Sequence, residues 1–274
     1  ASYGKGKQYQ TSWSRIARFS TGLLSENRWR GRWIGLDRAM PWDEESLHSK
    51  LSARYLRTEF KTAKTVKRAT AFISGLGLNE LYINGKKVGE EVLTPAPTDY
   101  RKTILYNTYD VTDLLQKENA IGVVLGNGRF YTMRQNYKPY KITNFGYPKL
   151  RLNLIIEYTD GKRETIDSDT DWKINPDGPI RSNNEYDGEI YDARKELGDW
   201  SSPGYDDTTW LPAERVSIPT GTLRGHMMPG MKVWKEIKPK NVIKNANGFI
   251  IDFGQNMAGW VKMSITGKEG DTIK

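Results

Sequence analysis

The feature that most constrains this chain is an alternation of apolar and polar residues with a period of two, in short runs that end at turn-forming residues. Residues 149–158 show it best, because the apolar side chains occupy the even positions while Arg151, Asn153 and Glu157 fall on the opposite face. A chain with this period forms half-buried β-strands rather than amphipathic helices.

Turn dipeptides join such runs into hairpins. Asp160-Gly161 predicts a two-residue turn that returns as a strand over 163–167, and Asn84-Gly85 predicts a second turn between 81–83 and 86–88. Further strands are predicted at 55–60, 68–74, 103–109, 120–125 and 171–174. Helix is predicted only at 43–53 and in a single turn at 111–116, with Asp110 as its N-cap. The pattern therefore indicates an all-β protein built as an antiparallel β-sandwich.

The domain organisation follows from changes in composition. Residues 212–230 are rich in Pro and Gly and read as a linker or a long crossing loop. After them, 249–253 and 260–265 look like strands of another β unit. We expect three parts: an incoming segment from a preceding β region (1–36), the main sandwich domain (37–222), and the incomplete start of the next β-sandwich domain (223–274).

Several classes of chemistry lack their residues. The chain has no Cys, so thiolate chemistry is excluded. It has two His, which leaves few candidates for a histidine relay or a multi-histidine metal site. Asp167, Asp169 and Asp171 resemble the start of a calcium loop, but Trp172 stands where that loop needs Gly. No apolar run reaches the length of a membrane span. The charge of +9 would suit nucleic acid, yet no groove-reading motif accompanies it.

Paired carboxylates are the remaining catalytic candidates, because glycoside hydrolysis needs two of them across the scissile bond. The acidic stretch 185–192 and the pair Asp206 and Asp207 supply the candidates, which in the stretch are Glu185, Asp187, Glu189 and Asp192. The competing interpretation, which we favour, is that they cap turns and pair with Arg194 or with backbone amides. Nine Trp and fifteen Tyr permit sugar binding without requiring it.

Specific strings resemble a known family. GLGLNELYINGKKVGEEVLTPAPTDYRKTILYNTYDVTDLL (75–115), ENAIGVVLGNGRFY (118–131), NEYDGEIYDARKELGDWSSPGYDDTTW (184–210) and IDFGQNMAGWVKMSITGKEGDTI (251–273) are similar to the N-terminal β region of bacterial α-L-rhamnosidases, glycoside hydrolase family 78. Residues 13–35 resemble the segment that enters that sandwich. The resemblance implies a jelly-roll, galactose-binding-like sandwich with parts of flanking β domains.

The resemblance also implies a division of labour. The family's inverting catalysis belongs to an (α/α)₆ barrel that follows these β domains, so we expect no catalytic residue here and an inactive chain. The implied parent enzyme hydrolyses terminal α-L-rhamnose, so its partners are an L-rhamnose-containing glycan or glycoside and the rest of the parent polypeptide. Neither nucleic acid nor membrane is expected as a partner. A periplasmic or secreted parent is the expectation, with the cytoplasm left open.

Some members of the family bind rhamnose beside calcium on a polar loop surface that includes Asn side chains. Asn127 is the match to that surface and Asn79 a second one, although Leu78 stands where an acidic ligand would precede Asn79. Arg129 adds forked donors and Tyr131 an aromatic face. Calcium near Asn127 is the one cofactor to consider. The open alternatives are a stand-alone rhamnose-binding module and a basic β protein that binds nucleic acid.

Overall fold

The computed structural model describes residues 2–4, 7–9, 13–14, 21–23, 25–44, 50–132, 144–185, 188–246 and 248–273. Two compact units divide the chain, Ala1–Lys232 and Val233–Lys274. The helical segments that these residues form are 3₁₀ turns at Glu26–Arg28, Thr112–Leu114 and Ala193–Lys195. Within the described ranges, no helix is long and apolar enough to cross a membrane.

The strands are short and follow one another closely along the chain. Those of the first unit are β1 (Ser2–Gly4), β2 (Lys7–Tyr9), β3 (Ile34–Gly35), β4 (Arg54–Lys61), β5 (Val66–Leu76), β6 (Leu78–Ile83), β7 (Lys86–Lys87), β8 (Thr103–Asp110), β9 (Glu118–Gly126), β10 (Lys149–Tyr158), β11 (Arg163–Asp167), β12 (Lys173–Asn175), β13 (Ile180–Asn184), β14 (Gly188–Tyr191), β15 (Leu211–Pro212), β16 (Glu214–Arg215) and β17 (Thr222–Gly225). Those of the second are β18 (Asn241–Asn245) and β19 (Gly248–Asp252).

Two larger sheets form the sandwich of the first unit. One has the order β16-β3-β10-β5-β8-β17, with β11 also paired to β10, and the other has the order β15-β12-β4-β9-β6-β7. Among the described strands of these two sheets, all pairings are antiparallel except that of β17 with β8, which is parallel. The predicted all-β antiparallel sandwich is confirmed, with one parallel strand added at an edge.

The core lies between these sheets, where the apolar face of β10 meets the second sheet. Its even-numbered side chains, 150–156, belong to one buried cluster with Ile73 of β5 and with Ile121 and Val123 of β9. Each fully buried aliphatic side chain of this size contributes about 1.5–3 kcal/mol to the free energy of folding. The period-two pattern therefore identified both the strand and its buried face.

The two predicted hairpins are both present, but their turns differ. Asn84 and Gly85 have φ values of 51° and 78°, as a two-residue turn with both central residues in the left-handed region requires. At the other hairpin, the Tyr158 N–H donates to the Lys162 carbonyl (2.9 Å) and Gly161 alone has positive φ, at 83°. The predicted two-residue turn is wrong there, because the connection is the three-residue type that ends on a left-handed glycine.

Two predicted elements differ from the structure. In place of a helix over 43–53, Glu44 and Lys50 form an antiparallel bridge, and the Asp43 carboxylate accepts from the Ser52 N–H (2.8 Å); residues 45–49 lie outside the described part. Tertiary contacts override the local helix propensity here, because the buried guanidinium of Arg54 requires the Asp43 carboxylate as its partner (2.9 Å). Residues 260–265 form no strand, whereas β18 was not predicted.

The polar face of β10 is covered rather than open to solvent. Segment 25–33, called the strap below, lies across it: Arg151 Nε donates to the Gly31 carbonyl (2.7 Å), and the Gly31 N–H donates to Asn153 Oδ1 (2.9 Å). A Cβ at Gly31 would lie 2.3 Å from the Leu152 carbonyl oxygen, so only glycine allows this approach. The alternation thus marks one face for the core and the other for the strap.

The second unit contains one described hairpin, and the described residues after it form no further strand. β18 and β19 pair antiparallel from Asn241 opposite Asp252 to Asn245 opposite Gly248. Its apolar side chains are largely exposed, with Phe249 at 65% and Trp260 at 64% of their full surface. A two-stranded sheet cannot bury both of its faces by itself.

Replacing Asn153 by Ala tests the attachment of the strap. Because the buried Gly31 N–H would lose its acceptor, we expect the free energy of unfolding to fall by about 1–3 kcal/mol. The matched control is Glu157→Ala on the same face of β10, whose partner Arg163 is exposed, with an expected effect of about 0.5 kcal/mol or less. Urea denaturation measures both free energies of unfolding. A loss in Asn153→Ala no larger than that in the control would show that the bond between Gly31 and Asn153 does not stabilise the fold.

Candidate functional site

The residues singled out for sugar binding lie where β9 ends. After Gly126 the chain turns tightly, because the N–H groups of Phe130 and Tyr131 both donate to the Asn127 carbonyl, at 3.0 and 3.2 Å. Asn79 belongs to the neighbouring strand β6, opposite Leu125. The fold therefore brings Asn79 and the turn 127–131 to the same end of the second sheet, here called the loop end.

Asn127 is fully buried at this loop end. Its Nδ2 donates to the Leu51 carbonyl (2.7 Å), and its backbone N–H donates to Asn183 Oδ1 (2.7 Å). The side chain thus ties the end of β9 to the chain before β4, and the backbone N–H ties it to strand β13. Asn127 Oδ1 has no hydrogen-bond partner among the described residues.

The other three predicted residues divide between interior and surface. Asn79 and Tyr131 are buried, and the Tyr131 ring stacks on Tyr147 with centroids 5.3 Å apart. Arg129 stays partly exposed, and its Nε and Nη2 each donate a hydrogen bond of 2.6 Å to the Glu185 carboxylate. The expectation that these side chains form a polar surface is wrong for Asn79, Asn127 and Tyr131, because the adjoining strands and loops cover them. Sugar binding at the loop end stays a prediction.

The loop end does not supply the oxygen ligands that calcium needs. The ion takes six to eight oxygen ligands, usually with several carboxylates. Asn127 Oδ1 is one unpartnered oxygen, but the nearby unpartnered amide atoms of Asn79 and Asn183 are Nδ2 donors, and Glu185 is bound to Arg129. In the described ranges, no group of three or more His, Cys, Asp or Glu side chains could hold a metal. These residues do not fit calcium.

The acidic stretch that follows β13 is mostly engaged in structure. The Asp192 carboxylate accepts from the Arg194 backbone N–H (3.1 Å) and from its guanidinium at two positions of 2.8 Å. The side-chain bond from Arg194 is the main cause that lowers the pKa of Asp192 to about 2. Glu185 pairs with Arg129, and Asp187 lies outside the described residues. For Asp192, the favoured interpretation as a turn cap paired with Arg194 is confirmed.

Glu189 differs from its neighbours in electrostatics. Burial of its carboxyl group raises the pKa of Glu189, and the negative charge of Glu80 adds to the shift. Glu80 itself is bound to the Lys87 ammonium and to the Tyr82 hydroxyl. A general acid needs a carboxyl group whose pKa is raised. The acidic neighbour of Glu189, however, is Glu80, and its charge is already paired with the Lys87 ammonium.

Asp206 and Asp207 hold the loop that precedes β15. Asp206 Oδ1 accepts from the Thr208 hydroxyl (2.7 Å) and N–H (3.1 Å), and the hydroxyl bond is the main cause that lowers the pKa of Asp206. Asp207 pairs with the buried guanidinium of Arg57. Arg57 also donates to the Trp200 carbonyl (2.9 Å), so one arginine anchors the whole loop.

Sequence reasoning missed the buried arginines that organise these elements. Arg57 and Arg54 are both almost fully buried in β4. Burial lowers the pKa of Arg54, and its ion pair with Asp43 opposes that shift. The alternation within 54–61 gives a face to each residue, but it does not reveal which partner lies opposite a buried guanidinium.

The Arg194→Ala variant tests the cause of the Asp192 shift. Without the guanidinium, the pKa of Asp192 should rise toward the ordinary value of about 3.9. Because the folded-state pKa is depressed, the contact stabilises the fold above about pH 4, and that contribution is lost as the pH falls toward about 2. Carboxyl ¹³C titration by NMR measures the change. Asp206 serves as the internal control and should not move; an unchanged Asp192 would refute the assignment.

Asn127→Ala tests whether this residue is a structural tie. Loss of the bond to the Leu51 carbonyl inside the protein should lower the free energy of unfolding by about 1–3 kcal/mol. Arg129→Ala, at the partly exposed end of the same turn, should cost no more than about 1 kcal/mol. Thermal or urea unfolding compares the two, and a larger loss in the Arg129 variant would contradict the assigned roles.

Comparison with known proteins identifies relatives of this chain. The family model described as the alpha-L-rhamnosidase N-terminal domain matches residues 64–235, and that of the bacterial alpha-L-rhamnosidase concanavalin-like domain matches 243–274. An alpha-L-rhamnosidase of Formosa agariphila is 37% identical over 97% of this chain and 30% of its own length. One of Streptomyces avermitilis is 36% identical over 81% of this chain and 22% of its own.

Solved structures agree with these sequence relatives. The alpha-L-rhamnosidase from Dictyoglumus thermophilum has a TM-score of 0.75 and 38% identity, over 86% of this chain and 27% of that one. The Streptomyces avermitilis enzyme complexed with L-rhamnose has a TM-score of 0.71 and 36% identity, over 76% of this chain and 20% of that one. The chain therefore spans less than a third of the length of each of these relatives.

Proposed function

The chain belongs to the bacterial α-L-rhamnosidase family, and we propose that it serves as the non-catalytic N-terminal β region of such an enzyme. The observation that carries this proposal is the match of the family's N-terminal-domain model to residues 64–235. That range covers strands β5 to β17, the greater part of the sandwich. The proposed domain division stays 1–36, 37–222 and 223–274.

In this proposal the parent enzyme removes terminal α-L-rhamnose from glycans or glycosides with inversion. Inverting hydrolysis needs a carboxylic acid and a carboxylate about 6.5–9.5 Å apart, with room for water between them. Glu185, Asp192 and Asp207 are poor candidates for such a pair, because each of these carboxylates is already bound to an arginine. Catalysis is assigned to the (α/α)₆ barrel that the family resemblance implies.

The proposed role of this region is to act as a scaffold for the rest of the parent polypeptide. Its second unit supports that role, because Phe249, Trp260 and Val261 expose most of their apolar surface. Contact with a partner would bury these apolar side chains, and removing them from water is favourable in free energy. The match of 243–274 to the concanavalin-like domain makes further strands of that domain the proposed partner.

A nucleic-acid partner finds less support. Several residues of the basic clusters have acidic neighbours, as in the pairs Arg30–Asp167, Lys61–Glu118 and Lys64–Asp160. A surface whose cations are paired in this way gains less from phosphate contacts. We therefore propose a carbohydrate-active assembly as the setting of this chain, with accessory sugar binding as its second role.

The test is an assay of the chain on an aryl α-L-rhamnoside. We expect turnover no greater than that of a buffer blank, while the parent polypeptide with its barrel hydrolyses the same substrate. The control variants are Glu189→Gln and Asp207→Asn. Turnover by the chain that disappears in either variant would overturn the non-catalytic assignment.

A further inference from the structure

A group of exposed apolar side chains lies at the end of the first unit. Met227, Met228 and Met231 leave 93%, 57% and 53% of their surface exposed, so three of the chain's seven methionines are presented within five residues. Leu93, which is 55% exposed, belongs to the chain segment beside them, because the N–H of the preceding Val92 donates to the Met231 carbonyl (2.8 Å). Leu93 and the three methionines are called the methionine surface below.

The backbone that carries these methionines is fixed at both ends. Before them, the His226 N–H donates to the Tyr106 carbonyl of β8 (2.8 Å). After them, Lys232 forms an antiparallel bridge with Glu91, and its Nζ lies 3.6 Å from the Glu90 carboxylate. The methionine side chains are therefore presented by a segment that is hydrogen-bonded to the first unit, and not by a loose linker.

Leu93 is strained as well as exposed. Its φ of 52° lies in the left-handed region, which costs free energy for a bulky side chain. More than half of its surface nevertheless faces solvent, so burial within this chain does not offset that cost. Backbone strain of this kind is concentrated at functional sites, where a binding partner is among its usual causes.

The chemistry of the surface favours an apolar protein partner. Unbranched thioether side chains adapt their shape to an opposing surface, and methionine is enriched at protein interfaces. Lys232, next to Met231, is already paired with Glu90, as charges are in the polar rim of an interface. Burial of apolar surface, rather than attraction between charges, would therefore drive the contact.

The size of the surface distinguishes a tethered partner from a free one. Each partner in a stable complex of separate proteins contributes about 20–30 residues, many more than the four side chains present here. A domain of the same polypeptide needs fewer contacts, because the covalent link keeps it at a high effective concentration. This chain matches 30% of the length of the Formosa agariphila relative, so a parent of that length supplies such a domain.

We propose that the methionine surface binds the part of the parent polypeptide that follows residue 274, through an apolar surface of that part. The inference rests on the proposed function, since it requires a parent that continues after this chain, and it names the surface through which the first unit acts as a scaffold. Docking there removes the three methionines and Leu93 from water together, which offsets the cost of the left-handed leucine.

Oxidation by hydrogen peroxide measures whether the methionines are covered. Peroxide transfers one oxygen atom to the thioether sulfur, which becomes a sulfoxide, and the peroxide is reduced to water. Peptide mass spectrometry gives the rate at each methionine, with N-acetylmethionine in the same solution as the rate standard. In the chain alone, we expect Met227 to react about as fast as the standard. In the parent polypeptide, Met227, Met228 and Met231 should each react at least about tenfold more slowly.

The Met227→Lys variant tests the contact itself. Because the side chain is exposed, thermal unfolding of the chain alone should not change. In the parent, an ammonium group placed against an apolar partner should open the contact, so Met231 should oxidise at least about threefold faster than in the wild type. Ile190→Lys is the matched control, since Ile190 is a 49% exposed apolar residue of β14 outside the methionine surface, and Met231 should stay protected in it.

Three results would overturn the proposal: equal oxidation rates of Met227 in the chain and in the parent, full protection of Met231 in the folded parent that carries Met227→Lys, or protection in the chain alone that rises with its concentration. The last would identify a second copy of the chain as the occupant. A parent that hydrolyses the aryl rhamnoside while its methionines stay reactive would refute this contact and leave the proposed function standing. Turnover by the chain alone would refute the non-catalytic assignment and leave the contact standing.

Discussion

The packing of β10 is the constraint on which the rest of the structure depends. This strand has β5 along one edge and both β3 and β11 along the other, so most of its backbone hydrogen bonds are made inside the sheet. Its even-numbered side chains close the core and its odd-numbered ones receive the strap. A shift of one residue in its register would exchange these two faces. Register therefore fixes the core and the strap together.

Buried arginines supply the second level of organisation. Arg54 has no exposed side-chain surface, and its guanidinium donates to Asp43 Oδ2 (2.9 Å), to the Ser52 carbonyl (2.8 Å) and to the Arg38 carbonyl (3.2 Å). The desolvation of such a pair offsets much of its attraction, so its net contribution to stability is small. What it determines is the path of the chain, because each of these acceptors must come to the guanidinium. The predicted helix over 43–53 gives way to this requirement.

The sequence predicted strands well and their surroundings poorly, for a physical reason. Alternation reports that two faces differ, and it correctly separated the faces of β10. It does not report what covers the second face, so Arg151 and Asn153 read as solvent-facing although the strap buries them. The same limit applies to Asn127, whose neighbours Leu51 and Asn183 are distant in the sequence. Turn chemistry, which is local, placed both hairpins and erred only in the length of one.

Several carboxylates of this chain are held in contacts with cations that position the backbone around them. Catalysis by an acid and a base requires carboxyl groups whose protonation is tuned by their surroundings rather than fixed by a cation. Here Asp43, Asp192 and Asp207 are each bound to an arginine that positions a loop, and Asp192 is thereby held ionised far below neutral pH. A carboxylate locked in this way still accepts hydrogen bonds from hydroxyl groups. Asp37 is likewise bound to a cation, the buried ammonium of Lys149, although its own carboxylate stays partly exposed.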